Sequence, residues 1–233
     1  MTFLRWVELD PDTPTAGYPF ALPVVAALRE AGRLPLAAGV TFLTGDNGTG
    51  KSTLVEALAV AAGFNPEGGS VNVRFSTRST ESSLGGYLRL VRSPGKPSTG
   101  YFLRAESFYN VATELERLGG GPNLHERSHG ESFLDLVTHR FGPDGLYVLD
   151  EPEAALSVPG CLALVAVIHD LVRAGSQFVV ATHSPVLLAV PGATILRIGA
   201  DGTITPVTFD EADPVALTRS FLADPQRFLR HLL

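Results

Sequence analysis

"GVTFLTGDNGTGKSTLVEALAVAAG", residues 39–63, decides how the rest of the chain is read. Its first part is apolar and β-branched, as in a strand buried on both faces. The strand runs into Gly45, Gly48 and Gly50, which open backbone conformations closed to other residues. Helical composition follows at once, with Gly63 placed as a C-cap. A strand, glycine loop and helix in that order point consecutive N–H groups into one concavity, with a helix N-terminus behind it. The spacing G-x-x-x-x-G-K-S adds Lys51 as a mobile cation for β- and γ-phosphates, and the Ser52 hydroxyl for Mg²⁺. The loop Gly45, Asp46, Asn47, Gly48, Thr49, Gly50, Lys51, Ser52 and Thr53 is therefore a candidate site for a nucleoside triphosphate. The sequence contains no N/T-K-x-D segment of the kind that reads guanine, which favours ATP.

Outward from this loop, strand and helix alternate. Residues 2–9 read as an opening strand and 22–31 as a short helix near a proline. "SVNVRF", "GYLRLVR" and "GYFLR" are short alternating segments between Ser/Gly/Pro clusters, which predicts an antiparallel β subdomain over about 66–104. "SFYNVATELERLG" and "SFLDLVTHRF" predict helices within a segment of about 105–142. "GLYVLD" and "SQFVVAT" read as buried strands around an apolar helix at 160–174, followed by the strand pair "ATILRI" and "TITPVTF". The tail "DPVALTRSFLADPQRFLRHLL" reads as one or two short helices. The pattern predicts one α/β domain over 1–233, with a mostly parallel sheet flanked by helices.

Two further strands end in chemistry. "LYVLDEPEAAL", 146–156, runs an apolar strand into Asp150 and Glu151, and Pro152 stops it there. Ligands bind at this edge of parallel sheets. Asp150 is the expected outer ligand of Mg²⁺, and Glu151 is placed to polarise a water attacking the γ-phosphate. His183, at the end of "VVATHSP", follows after room for one helix and one strand, which predicts the same sheet edge. In "ERSHGESF", 126–133, Ser128 and Gly130 precede a helix, a second anion-binding N-terminus.

The ordered set "GDNGTGKS", "SHGES", "LYVLDEP" and "ATHSP" resembles the ATP-binding-cassette (ABC) ATPase superfamily. A signature ending in Gly-Glu is similar to the soluble SMC-like, recombination-type members. The combination "LRAESFYNVATEL", "HERSHGESF", "LDEPEAAL" and "ATHSP" resembles the small stand-alone bacterial "predicted ATPase" group. The resemblance implies hydrolysis of Mg·ATP and two copies closing head to tail around two ATP molecules. Lys51, Ser52, Asp150, Glu151 and His183 of one chain would then face Ser128 and Gly130 of the other.

Several positions depart from that pattern. His129 stands where the signature usually has its first glycine. Ser157 follows "EAAL" where an aspartate is usual. The usual glutamine after "GYFLRAE" is missing, and either Arg104 or Glu106 takes its place. Tyr18 and Phe20 are alternatives for stacking on adenine, with burial in the core as the other reading of each. The chain has no long coiled-coil insertion between Lys51 and Ser128.

Composition bounds the rest. A formal charge of −6 argues against a dedicated nucleic-acid binder. Within residues 71–104, however, Arg74, Arg78, Arg89, Arg92, Lys96 and Arg104 stand against one acid, Glu81, so DNA or an acidic partner remains a candidate. The single cysteine, Cys161, lies in an apolar run and fits a buried thiol in a reducing cytosol. No apolar stretch is long enough to span a membrane, and the first residues lack the apolar core of a signal peptide. The expectation is a cytoplasmic ATPase that acts on a protein partner, in DNA maintenance or defence. The competing readings are the nucleotide-binding subunit of a transporter, with a separate membrane subunit, and an ATP-gated scaffold without turnover.

Overall fold

Alternation along the buried strands sorts the core into two layers. In the computed structural model, which describes residues 2–70, 83–106 and 129–232, strands β3 (Val40–Thr44), β7 (Gly145–Asp150) and β8 (Gln177–Ala181) are buried along their whole length. Leu43, Leu146, Val148, Val179 and Ala181 face one layer, and Phe42, Tyr147, Leu149, Phe178 and Val180 face the other. Successive strand side chains point to opposite faces, so a sheet covered on both sides needs apolar residues at every position. The first layer is filled by α1 (Pro23–Ala31) and α2 (Lys51–Ala62), through Leu28, Leu54 and Leu58. The second is filled by α3 (His129–Arg140) and α4 (Val158–Arg173), through Phe133, Val137, Leu164 and Ile168.

The remaining strands are β1 (Leu4–Leu9), β2 (Leu34–Pro35), β4 (Gly69–Ser70), β5 (Leu88–Arg92), β6 (Thr99–Arg104), β9 (Thr194–Ile198) and β10 (Ile204–Val207). The central sheet runs β10-β9-β3-β8-β7-β6-β4, parallel from β9 to β6 and antiparallel at both margins. Helices α5 (Asp213–Ala223) and α6 (Pro225–Leu232) close the chain. This is the α/β architecture expected from the alternation of elements.

The antiparallel β layer is built differently from the sequence expectation. It is the sheet β2-β1-β5, in which the opening strand pairs with residues 88–92. "GYFLR" leaves that layer and enters the central sheet as β6, parallel to β7. The physical reason is burial: Gly100, Tyr101, Phe102 and Leu103 are all buried, so the segment needs cover on both faces. The strand expected at "SVNVRF", the helix expected at "SFYNVATELERLG", and Arg74, Arg78, Glu81 and Ser128 lie outside the described residues, as do the side chains of His129 and Glu131.

The strands' N-terminal edge is closed by side-chain hydrogen bonds. Gln177, fully buried, accepts from Phe3 N and Leu4 N at 2.9 and 2.8 Å. Its amide donates to Leu4 O and Ala37 O at 2.8 and 2.7 Å, tying the antiparallel layer to the central sheet. Beside it, Tyr147 Oη accepts from Gly142 N and donates to Gly142 O, and Ser176 Oγ accepts from Gly145 N.

Candidate functional site

The opposite edge of the sheet collects the glycine loop, Asp150, Glu151 and His183. Register aligns Leu43 with Ala181 and Asp150 with Ala181, so the loop after β3, the carboxylates after β7 and the histidine after β8 share one rim. Strand β8 stands between the other two, which puts His183 in the middle of the row.

The loop from Gly45 to Gly50 turns sharply. Gly45 has φ 147°, and a Cβ there would lie 2.2 Å from Ile198 O. Gly50 has φ 91°, and a Cβ would lie 2.7 Å from a Val24 methyl. Only glycine meets both demands. Gly50 is the N-cap of α2 and no side chain caps that helix, so its first N–H groups are left for an external acceptor. Lys51, almost fully buried, donates to Gly45 O and Asp46 O at 2.7 and 2.8 Å. Burial pulls its ammonium below the usual lysine pKa, against the pull of Glu151 and Asp150. The loop, Tyr18 and Glu151 border a cavity of about 390 Å³.

Asp150 is 3% exposed and its Oδ1 has no hydrogen-bond partner. Burial raises its pKa to about 6, although Arg104 and the Ser52 hydroxyl oppose the rise. A buried, orphaned carboxylate oxygen beside a hydroxyl is a hard-oxygen pair that fits Mg²⁺. That ion is commonly held by one or two protein oxygens together with phosphate oxygens. Among the described residues there is no cluster of three or more His, Cys, Asp or Glu able to hold a metal.

Glu151 sits in the left-handed region, φ 48° and ψ 51°, directly before Pro152. A residue preceding proline normally stays extended, so this conformation is held by its surroundings. Its N–H donates to Ala181 O at 2.9 Å, which pins the turn to the neighbouring strand. The turn swings the half-exposed carboxylate towards His183, whose Nε2 lies 3.5 Å from Glu151 Oε1. His183 Nε2 is buried and lacks a hydrogen bond. Its backbone N–H donates to Glu153 Oε1 at 2.5 Å. Glu153 was missed in the sequence; its signal was a second acid two positions after Glu151. Glu56 was missed too, though it is the lone acid of the apolar helix α2, and its Oε2 accepts from Arg104 at 2.9 Å.

The two open alternatives divide cleanly. Tyr18 is exposed, and its hydroxyl lies 3.3 Å from Thr53 Oγ1 at the mouth of the loop cavity. Phe20 instead packs edge-on against Tyr87 and, partly buried, lies against the first core layer. Arg104 lies beside Asp150, whereas the Glu106 side chain is 85% exposed. Ser157 accepts from Gly160 N as the N-cap of α4. Gly130, in the first turn of α3, does not border the loop cavity of its own chain; a Cβ there would lie 3.5 Å from Ala155 O. Cys161 is buried, as expected.

Residues 40–99 match the family model described as "AAA domain, putative AbiEii toxin, Type IV TA system". No curated protein sequence matches the chain. Among solved structures the chain is similar to cbiO1 from Clostridium perfringens, part of the ABC transporter complex cbiONQ, at 13% identity over 100% of both chains with a TM-score of 0.51. It is also similar to the SMC head domain from Thermotoga maritima, at 16% identity over 89% of this chain and 100% of that one with a TM-score of 0.49. The chain thus has the fold of an ABC-type P-loop ATPase. Among the described residues, no helix is long and apolar enough to cross a membrane.

Proposed function

We propose that the chain binds Mg·ATP in the loop cavity and hydrolyses it, closing head to tail against a second copy of itself. The observation that carries this reading is the gathering of a buried lysine, an orphaned buried carboxylate and a Glu–His pair at one sheet edge. Gly45 to Thr53 cradle the phosphates with backbone N–H groups, and Lys51 leaves the loop carbonyls for the β- and γ-oxygens. Ser52 and Asp150 hold Mg²⁺, which neutralises phosphate charge. Tyr18 stacks on the adenine from the mouth of the cavity. Glu151 accepts a proton from the attacking water. His183, oriented through Glu153, donates to a γ-phosphate oxygen. Ser128 and Gly130 of the partner subunit complete the site across the interface.

A phosphate held from both chains makes dimerisation depend on ATP and makes hydrolysis the release step. Through that cycle the chain acts in the cytoplasm on a protein partner, in DNA maintenance or defence. The family description, which names a type IV toxin–antitoxin system, supports the defence side. Arg92 and Lys96 are exposed, beside Arg89, which is exposed but paired with Asp10, and they offer a basic surface for DNA, to be tested by binding at low salt.

The test is the molar mass of Glu151→Gln in solution with and without Mg·ATP. A doubling supports the shared site. Bound ATP on a persistent monomer overturns the dimer, and absence of nucleotide binding overturns the whole reading. Co-purification with an integral membrane protein would favour a transporter subunit instead, and bound ATP with no Glu151-dependent turnover would favour a scaffold.

A further inference from the structure

Asp150 already has a cation beside it. Parallel pairing of β6 with β7 places Arg104 opposite Asp150. Arg104 Nε lies 3.4 Å from Asp150 Oδ2, and one terminal nitrogen donates to Glu56 Oε2 at 2.9 Å. The other terminal nitrogen lies 3.7 Å from Glu106 Oε2, on a side chain that is mostly in water. Arg104 Nε is itself buried and makes no hydrogen bond. The guanidinium is therefore anchored by Glu56 on α2 and faces Asp150 by charge alone.

An ionised carboxylate cannot sit in this interior without a counter-charge. Arg104 supplies one, and it cannot lose its proton to make way for another cation. A dication approaching Asp150 Oδ1 meets the fixed positive charge of Arg104 on the other side of the same carboxylate. Like charges in a partly buried site repel far more strongly than in water. Glu56 offsets that repulsion, because each increment of negative charge at the far side of the guanidinium weakens its hold on Asp150.

We propose that Arg104 is a positioning residue that competes with the divalent cation for Asp150, and that Glu56 sets how strongly it competes. This rests on the reading of the cavity as a Mg²⁺–nucleotide site and deepens it. Metal affinity is deliberately lowered by a charge from β6, and the anchor of that charge is α2, the helix that begins at Lys51. Carboxylate and metal thereby engage only when nucleotide phosphates add their own negative charge.

The experiment is a Mn²⁺ titration of the full chain loaded with a non-hydrolysable ATP analogue, reading free Mn²⁺ by its paramagnetic signal. Arg104→Gln is expected to tighten Mn²⁺ binding by about tenfold, and Glu56→Gln to weaken it by about threefold. Arg104→Lys keeps the charge and is expected to stay within about twofold of the unmodified chain. A purely structural role for the pair would move both neutral variants the same way. Analogue bound normally, with unchanged or weaker Mn²⁺ binding in Arg104→Gln, overturns the competition and leaves the nucleotide site standing. Failure of the unmodified chain to bind the analogue overturns the nucleotide reading and the competition together. Should Arg104→Gln not fold, Glu56→Gln decides: unchanged or tighter Mn²⁺ binding overturns the proposal.

Discussion

The two ends of the central sheet handle buried polar groups in opposite ways. At the N-terminal end, Gln177 makes four hydrogen bonds, and Tyr147 and Ser176 close the adjacent turn. At the C-terminal end, Thr44 Oγ1, Arg104 Nε, Asp150 Oδ1, Glu153 Oε2 and His183 Nε2 are buried without hydrogen-bond partners. Among the described residues a sixth such atom, Tyr101 Oη, lies within β6 and is the exception to the clustering. Both ends are built from strands equally buried along their length, so burial does not explain the contrast. An unsatisfied buried group carries a penalty of about 1–3 kcal/mol. Five such groups at one rim are what the proposed Mg·ATP would satisfy on binding. The left-handed Glu151 stands at the same end, where backbone strain is also tolerated.

The contrast breaks most visibly in turnover. Glu151→Gln should lower steady-state phosphate release by at least about 100-fold while ATP affinity stays within about threefold. A fall of less than about tenfold would remove Glu151 from the role of general base.

At the closed end the loss should appear in stability instead. Gln177→Leu strands Phe3 N, Leu4 N, Leu4 O and Ala37 O, and should cost about 3 kcal/mol or more in urea unfolding. Nucleotide affinity of the folded fraction should not move. Equal losses of binding and stability would show that the two ends are not separable.

The open end should instead gain stability when its charge is removed. Asp150 has its pKa raised to about 6 from 3.8, so the folded state holds the proton more tightly than the unfolded state does. The stability this gives is full below the unfolded value and is lost as pH rises through about 6. Relative to the metal-free chain, Asp150→Asn should therefore become more stable by about 2–3 kcal/mol between pH ~4 and pH ~7.5. Denaturant melts across that range check the sign; a gap that shrinks with rising pH would refute it.

The smallest effect belongs to Tyr18. The residue is 76% exposed, so Tyr18→Ala should leave unfolding within about 0.5 kcal/mol. It should weaken ATP binding about tenfold, in line with the loss of one base–aromatic stack. Titration with a fluorescent ATP analogue reads this, and unchanged affinity would assign adenine to another surface.

Much of the open end was legible in the sequence because each part is a local pattern. Glycine spacing, an apolar run ending in paired acids, and a histidine closing a β-branched strand are properties of a few consecutive residues. Order along the chain then predicted the shared rim, since parallel strands put their C-terminal ends together. The left-handed turn at Glu151 was not legible, because the residue before a proline favours extended backbone and only tertiary contacts overrule it. Glu153 and Glu56 were not legible either. Each stands out only as an acid near Glu151 or in an apolar helix, which does not name its partner, 30 or 48 positions away.

By itself the sequence determined the strand–loop–helix at residues 39–63, the alternation of elements and the polar residues at the strand ends. All of these follow from side-chain periodicity and from the dihedral freedom of glycine. Tertiary structure decided what periodicity cannot: that β8 stands between β3 and β7, that β5 pairs with β1 while β6 joins the central sheet, that Tyr18 is exposed where Phe20 packs against the core, and that Arg104 rather than Glu106 meets Asp150. Each depends on contacts with residues far away in the chain. Such choices are made by the burial of whole faces and by the pairing of charges, which no local run of residues contains.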